Sequence, residues 1–390
     1  MRVLYLTDSL SDLDGVGRYA VRLISALQEL EPGLEVEVLL ARKHRPTSAD
    51  VPPHWKVSVA LPPDYLFHMS RARFWGSVLP AIGRTARAAR RADLVHAIKD
   101  YPHNWVALRG AELAGRPCLA TAHGTYSVQP LLDARHQRRA RGAYRRFAAL
   151  ISVSGYTARR LTELLTPEDL PRERLHVIPN AVDAQRYAVP VQLDARPWHA
   201  HPYTLAMGEL KERKGHHLSL DAFCRVAPRH AALHHYLVGK PSGDEYEAGL
   251  RRLVAQHGLT ERVHFLGNVS ELEKVDLLQR ARVFVHTPVT SRDGGFEGFG
   301  IVYLEAAACG VPSLGTLDSG AEDAVQDGVS GLLVAQEPGP VAQALERLLG
   351  DEELRACLAS GAREHARRSS WTDNARRVLA LYRAALQWRG

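Results

Sequence analysis

The sequence predicts an α/β protein built from two doubly wound parallel-sheet domains. Short apolar runs without polar alternation recur in both halves of the 390-residue chain, as in strands covered on both faces. Stretches long enough for a helix separate them, which is the spacing of βαβ units. The length exceeds what one hydrophobic core usually serves, so two cores are expected.

The elements follow in order. Val3–Thr7 reads as the first strand, then come a polar glycine-containing loop, a helix pattern from Val16 to Leu30, and a strand at Val36–Ala41. Leu94–Ala97, Cys118–Thr121 and Leu150–Val153 continue the first set. The second set is Thr204–Met207, His235–Val238, Val263–Phe265, Val283–His286, Pro312–Leu314 and Leu332–Val334. Pro179 to Asp183 and the proline-rich Val189 to Pro202 lack periodicity and read as the crossing between domains. Thr372–Gln387 reads as one amphipathic helix with Ala375, Val378, Leu379, Tyr382 and Leu386 on one face. Ligands of open α/β sheets bind at the C-terminal ends of strands, and with two such domains the cleft between them is the expected site.

Composition removes several classes. Four cysteines, Cys118, Cys224, Cys309 and Cys357, lie far apart with no Cys-x-x-Cys pair, which argues for reduced thiols in a cytoplasmic setting and against a zinc or disulfide framework. The N-terminus turns polar after six residues, too soon for a secretory segment, and no apolar run approaches the roughly 20 residues that cross a bilayer. Net charge is +7, but residues 1–190 carry 27 Lys/Arg against 18 Asp/Glu, so the basic excess belongs to the first half. Its densest part, Arg135 to Arg146, places six arginines on an expected helix, with a second basic run from Arg84 to Arg91. No aromatic platform accompanies them, so nucleic acid is not the expected partner. A solvated helix face is one reading; a peripheral contact with an anionic surface at the inner face of the cell membrane, or with a lipid phosphate, is the other.

The chemistry concentrates in Gly294 to Ser313. A glycine-rich turn feeds a helix running from Val302 to Cys309, stopped by Gly-Val-Pro. The start of such a helix offers unpaired N–H groups and a partial positive charge to an anion such as a diphosphate. Glu297 lies just ahead of that start and Glu305 within the first turns, so two acids can flank the anion. Gly208 to Gly215 follows the first strand of the second domain and carries Lys211, Arg213 and Lys214, cations placed to suit a phosphate or simply a solvated loop. His123 ends a short apolar strand beside a glycine, where a cleft-facing role competes with a structural one. Gly15-Val-Gly17 opens a helix and fits G-x-G-x-x-A, yet seven residues separate it from the strand and the second strand ends Ala41-Arg-Lys43 with no acid for a ribose. A general phosphate or sugar contact survives there. Asp12-Leu-Asp14 is too short a pattern, and too alone, to be a metal site, and His230, His234 and His235 read as packing or surface, so no metal is expected.

Taken in order, these segments resemble the retaining glycosyltransferases of family 4, which have the GT-B fold of two facing Rossmann-like domains. The resemblance spans nearly the whole chain: Gly15-Val-Gly17, Thr121-Ala-His-Gly124, Ile151-Ser-Val-Ser154, Ile178-Pro-Asn-Ala-Val-Asp183, Gly208 to Gly215, Phe265-Leu-Gly-Asn-Val269, Glu297 with Glu305, and the Trp371 to Tyr382 tail. It implies an acceptor-side domain of residues 1–185 plus 373–390, the C-terminal helix crossing back to it, and a donor domain of residues 186–372.

It also implies roles. Glu297 would bind hydroxyls of the donor sugar and Glu305 the nucleotide ribose. Lys214 with the amides of Phe299 and Gly300 would hold the diphosphate, Ile301 would belong to the donor-binding set, and His123 would meet the sugar near its 6-hydroxyl. Gly15 and Gly17 would lie where acceptor and diphosphate meet; Gly208, Lys211 and Arg213 would line the phosphate loop, and Asn268 and Val269 would lie by the base. The expected reaction is metal-independent transfer of a hexose, mannose before others, from GDP-mannose or a UDP-sugar to a hydroxyl of a glycan, glycolipid or lipid-linked acceptor. No cofactor beyond that co-substrate is implied. A nucleotide-sugar epimerase on the same fold and a non-catalytic sugar-nucleotide-binding protein are the alternatives. Two departures stand out: Glu209 takes the place of the usual arginine, and Ser319-Gly-Ala-Glu-Asp323 replaces Gly-Gly-x-Pro-Glu.

Overall fold

A computed structural model of the chain describes residues 1–12, 14–41, 50–63 and 68–387. It divides into two compact units, Met1–Asn180 with Trp371–Gly390, and Ala181–Ser370. The strand-end residues Arg42 and Lys43 lie outside the described residues.

The first unit holds a seven-stranded, wholly parallel sheet. Its strands are β1 (Arg2–Thr7), β2 (Glu35–Ala41), β3 (Lys56–Leu61), β4 (Leu94–Ala97), β5 (Cys118–Ala122), β6 (Ala149–Ser152) and β7 (Leu175–Val177), in the order β3-β2-β1-β4-β5-β6-β7. β1 is central, pairing Val3 with Val36 on one side and with Leu94 on the other. The order reverses between β1 and β4, so the loops after these two strands diverge and leave a crevice at their C-terminal ends. Residues 8–12 with Asp14, and Ile98 to Tyr101, belong to those loops. β3 and β7 escape the sequence reading for a shared reason. Both are edge strands, and neither has the continuous buried run of the central ones.

The second unit repeats the plan with six parallel strands: β8 (Tyr203–Met207), β9 (His234–Val238), β10 (Val263–Gly267), β11 (Val283–Val285), β12 (Ser313–Thr316) and β13 (Gly331–Val334), in the order β10-β9-β8-β11-β12-β13. Here the switch falls between β8 and β11. The loop after β8 is Gly208 to Gly215 and the loop after β11 runs from His286 to Gly300. Topology therefore brings together the two segments that sequence had marked 80 residues apart.

The C-terminal helix, Trp371–Gln387, packs within the first unit. Tyr382 is fully buried, and its hydroxyl meets His96 Nδ1 at 2.6 Å while His96 Nε2 meets Thr121 Oγ1 at 2.8 Å. Asn374 donates to the Pro179 carbonyl at 2.7 Å. Among the described residues no helix is long and apolar enough to cross a membrane.

Two expectations are corrected. Val189 to Pro202 is not a bare crossing but is held on the second unit: Trp198 Nε1 and His199 Nε2 both reach Asp276 Oδ2 at 2.7 Å, and Gln279 Nε2 donates to the Val189 carbonyl at 2.7 Å. Polar anchoring replaced the periodicity that the sequence lacked. The arginine-rich stretch is likewise not one helix. Only Gln137–Tyr144 is helical, so Arg135, Arg145 and Arg146 lie outside it. Most of its charge is used internally: Arg141 and Arg145 pair with Asp169 at 3.2 and 2.8 Å, Arg146 with Glu112 at 2.9 Å, and Arg139 lies 5.3 Å over the Phe74 and Trp75 rings.

Candidate functional site

The site begins with the backbone. At Gly215 φ is +67°, and a Cβ there would lie 1.6 Å from the Thr287 carbonyl oxygen, so only glycine lets the two switch-point loops touch. Thr287 Oγ1 then donates to the Gly215 carbonyl at 2.9 Å, and Val289 N to the Arg213 carbonyl at 3.1 Å. These bonds fix Arg213 and Lys214 against the strand end that leads into the glycine turn.

The turn is pinned from its other side. Gly320 N donates to the Glu297 carbonyl at 2.9 Å, and a Cβ on Gly320 would lie 2.3 Å from the Gly298 carbonyl carbon. The altered Ser319 to Asp323 segment thus still grips the turn through its backbone. Gly300, at φ +84°, opens the helix Ile301–Ala308, and no side chain caps that helix start. Its first N–H groups are left to a ligand or to water, with the positive end of the helix behind them.

Glu297 is buried there among cations. Its Oε2 pairs with Lys214 Nζ, lies 3.9 Å from Arg213 and 3.5 Å from His286 Nε2. Burial pushes the Glu297 carboxyl up, but Lys214, then His286 and Arg213, overcome it and hold the group well below the usual carboxylate range. Burial in turn pulls the Lys214 ammonium down, with Glu297 opposing. The pair is a compensated charge at a helix start, not a proton donor.

Glu305 lies one turn further on and is only 1% exposed. Its Oε1 accepts from the Tyr187 hydroxyl at 2.8 Å and from Lys274 Nζ at 3.3 Å. Sequence reading missed both partners, since neither belongs to a recognisable motif. Lys211, marked beforehand as a phosphate contact, forms an ion pair with Glu209 at 2.8 Å. Asn268 and Val269 follow β10 on the edge of the sheet, Asn268 exposed and Val269 half-buried. Gly208, at φ +148°, keeps room for the Lys214 stem, whose Cδ would be 3.2 Å from an added Cβ.

In the first unit, His123 ends β5. Its Nε2 lies 2.8 Å from the Ile98 carbonyl, so that nitrogen carries the proton and Nδ1 is left as acceptor. Burial, then Lys99, lowers the imidazole to about 4, so it is neutral at physiological pH. Beside it stands a set that sequence reading passed over. Lys99 Nζ pairs with Asp8 Oδ2 at 2.6 Å, and Asp100 accepts from the His123 amide at 3.3 Å and from the Ser127 hydroxyl. Burial pushes Asp100 up to about 6. Its signal was available: Lys99-Asp100 places two charges directly after an apolar strand. Gly17 is required by contact, because an added Cβ would lie 2.6 Å from Ser11 N, whereas Gly15 faces open space.

Asp14 is spent on structure. Its Oδ1 caps the helix by accepting from Gly17 N at 2.7 Å, and its Oδ2 accepts from Ser9 Oγ at 2.6 Å. The histidine trio is scattered too. His230 meets Glu346 at 3.3 Å, His234 stacks between His201 and His264, and His235 packs on Phe223. Among the described residues no group of three or more His, Cys, Asp or Glu side chains could hold a metal.

Comparison with known proteins covers both units. The sequence profile described as Glycosyltransferase Family 4 matches residues 13–186, and that described as Glycosyl transferases group 1 matches residues 196–365. The D-inositol 3-phosphate glycosyltransferase of Frankia alni is 31% identical, over 96% of this chain and 95% of that one. Among solved structures, Anabaena HepE in complex with UDP and glucose superposes with a TM-score of 0.77 at 20% identity, over 98% of this chain and 100% of that one. Sucrose-phosphate synthase from Thermosynechococcus elongatus gives 0.75 at 21%, over 98% of each chain.

Proposed function

Because this chain belongs to glycosyltransferase family 4 and is a glycosyltransferase of the GT-B fold, we propose that it transfers a hexose, with retention and without metal, from a nucleoside diphosphate to an acceptor hydroxyl. The observation that carries this reading is the Lys214–Glu297 pair at the uncapped start of the Ile301–Ala308 helix. A leaving diphosphate develops charge as the anomeric bond breaks. Fixed donors stabilise that charge without reorganising, and here they are the Phe299 to Ile301 amides, the helix terminus and Lys214.

The sugar falls to Glu297. A carboxylate kept ionised by its neighbours accepts hydrogen bonds from sugar hydroxyls, and it carries no proton to act as an acid. In the first unit, neutral His123 offers Nδ1 to a hydroxyl in the same way. For retention, the departing phosphate oxygen takes the acceptor proton on the face it leaves. No step in this scheme uses a metal or a carboxylate nucleophile.

GDP-mannose is the favoured donor, from the wording Glu-Gly-Phe-Gly-Ile-Val-Tyr-Leu-Glu-Ala at 297–306, and UDP-sugars are the competing one. The Frankia relative's name supports an inositol phosphate as the first acceptor to try, before glycans, glycolipids and lipid-linked intermediates. Calorimetry with UDP, GDP and ADP identifies the base; binding of UDP or ADP alone removes mannose from favour. Glu297→Ala should abolish transfer with the fold intact, and full activity in that variant would refute the site. Incubating donor without acceptor separates transfer from epimerisation.

A further inference from the structure

His286 is the residue at this site that neither motif nor resemblance picks out. It follows β11 directly, is 1% exposed, and lies 5.2 Å from the Tyr303 ring and 6.0 Å from that of Phe284. Neither ring nitrogen has a hydrogen-bond partner among the described residues, and its Nε2 stands 3.5 Å from Glu297 Oε2, too far for a formed bond. As a core filler the imidazole is a poor choice. An apolar side chain would fill the space between two aromatic rings without burying two polar atoms.

The surroundings give it a task. Lys214 is the close partner of Glu297, and it is also the cation read above as holding the diphosphate. One ammonium cannot stay on the carboxylate and neutralise the phosphates in full. A carboxylate left buried without a partner is costly, and Arg213 stands off at 3.9 Å. The nearest remaining donor is His286, whose backbone carbonyl accepts from the Tyr303 hydroxyl while its ring nitrogens stay unengaged among the described residues.

We propose that His286 is a positioning residue for Glu297: as Lys214 turns to the donor diphosphate, the imidazole Nε2–H closes from 3.5 Å onto Glu297 Oε2 and keeps the carboxylate aimed at the sugar hydroxyls. This rests on the donor-site reading above. The bond adds nothing to nucleoside diphosphate binding and acts only where a sugar is held. It also requires the neutral ring, which the buried setting beside Lys214 and Arg213 favours.

The test compares His286→Phe, which keeps a ring beside Phe284 and Tyr303, with His286→Gln, whose amide places an N–H donor where the imidazole Nε2 stands. Expected results are unchanged calorimetric affinity of both variants for the bare nucleoside diphosphate that binds the wild type, and a fall of roughly tenfold or more in kcat/KM for the nucleotide sugar in His286→Phe. His286→Gln should recover most of that loss. Equal kcat/KM in His286→Phe and wild type overturns the proposal, as does a His286→Gln variant no better than His286→Phe when both show the wild-type melting temperature. Failure of the underlying reading looks different: the wild type then binds no nucleoside diphosphate, or Lys214→Met binds it as well as the wild type, and the His286 role falls with it.

Discussion

The Tyr187 hydroxyl donates to Glu305 Oε1 at 2.8 Å, across 118 residues of sequence. Lys274 Nζ meets the same hydroxyl at 2.8 Å and lies 2.8 Å from Glu271, so the Glu305 carboxylate, proposed to hold the ribose, is set by a small buried network. Its orientation is decided by the first helix of the second unit, Ala184–Ala188, and not by its own helix alone.

Replacing Tyr187 with Phe keeps the ring and removes that donor. The expected cost is about 1.5–3 kcal/mol in urea denaturation, the usual range for one lost hydrogen bond to a charged group. The KM for the nucleotide sugar should rise several-fold with kcat nearly constant, since ribose contacts are the same in ground and transition states. A drop in kcat with KM unchanged would show that Glu305 does not hold the donor.

Acid sensitivity follows from histidines buried neutral. In the second unit His216 and His235 are lowered to about 3 by burial, as is His96 in the first. Their unfolded value is about 6.5, so below that pH the unfolded chain takes up protons that the folded one refuses. The stability they confer is complete above pH 6.5 and falls toward pH 3. Each contributes a slope of about 1.4 kcal/mol per pH unit. Asp100 runs the other way: pushed up to about 6 by burial, it holds a proton that the unfolded chain releases, and so favours folding as pH drops toward 4. It offsets part of the His96 and His123 contribution in the first unit and leaves His216 and His235 unopposed in the second. Urea midpoints should therefore fall between pH 7 and 5, and His235→Phe should flatten that slope by about one proton. An identical slope in the variant would mean that His235 titrates normally.

What sequence could and could not reach follows from range. Central strands such as Val3–Thr7 and Leu94–Ala97 announce themselves because both faces are covered, and the glycine turn before Ile301 carries its own local chemistry. The edge strands Lys56–Leu61 and Leu175–Val177 do not, because their solvent sides admit any residue. Lys214 and Glu297 were each legible in their loops, yet their pairing depends on the β8–β11 switch. His286, Tyr187 and Lys274 act only through partners distant in sequence, and no local pattern marks such residues. The arginines from 135 to 146 failed for the same reason: their acids, Asp169 and Glu112, lie elsewhere in the chain.

Two glycines separate contact from conformation. Gly215 and Gly294 both have positive φ, +67° and +78°, but an added Cβ meets the Thr287 carbonyl at 1.6 Å in the first and open space in the second. Gly294→Ala should cost only the backbone strain of a left-handed residue, about 1–2 kcal/mol, and keep donor binding. Gly215→Ala must part the two loops that hold Lys214, and should abolish nucleoside diphosphate binding measured by calorimetry. Equal binding in the two variants would show that the loop contact is dispensable.

Glu209 is the residue most at odds with a phosphate loop. Its carboxylate pairs with Lys211 at 2.8 Å; burial pushes it up, but Lys211, then Arg213 and Lys214, hold it below the usual range. If the loop holds the diphosphate as proposed, an ionised acid there repels it and occupies a lysine that would otherwise attract it. Because both side chains are about half exposed, the pair adds little stability, under about 1 kcal/mol. Glu209→Arg therefore removes one negative charge, adds one positive, and releases Lys211, with the melting temperature nearly unchanged. The diphosphate should bind roughly tenfold tighter at low salt, and the gain should shrink as salt screens it. If Glu209→Arg instead weakens binding, the carboxylate is a ligand of the donor, and the loop holds the sugar nucleotide by a contact other than charge attraction.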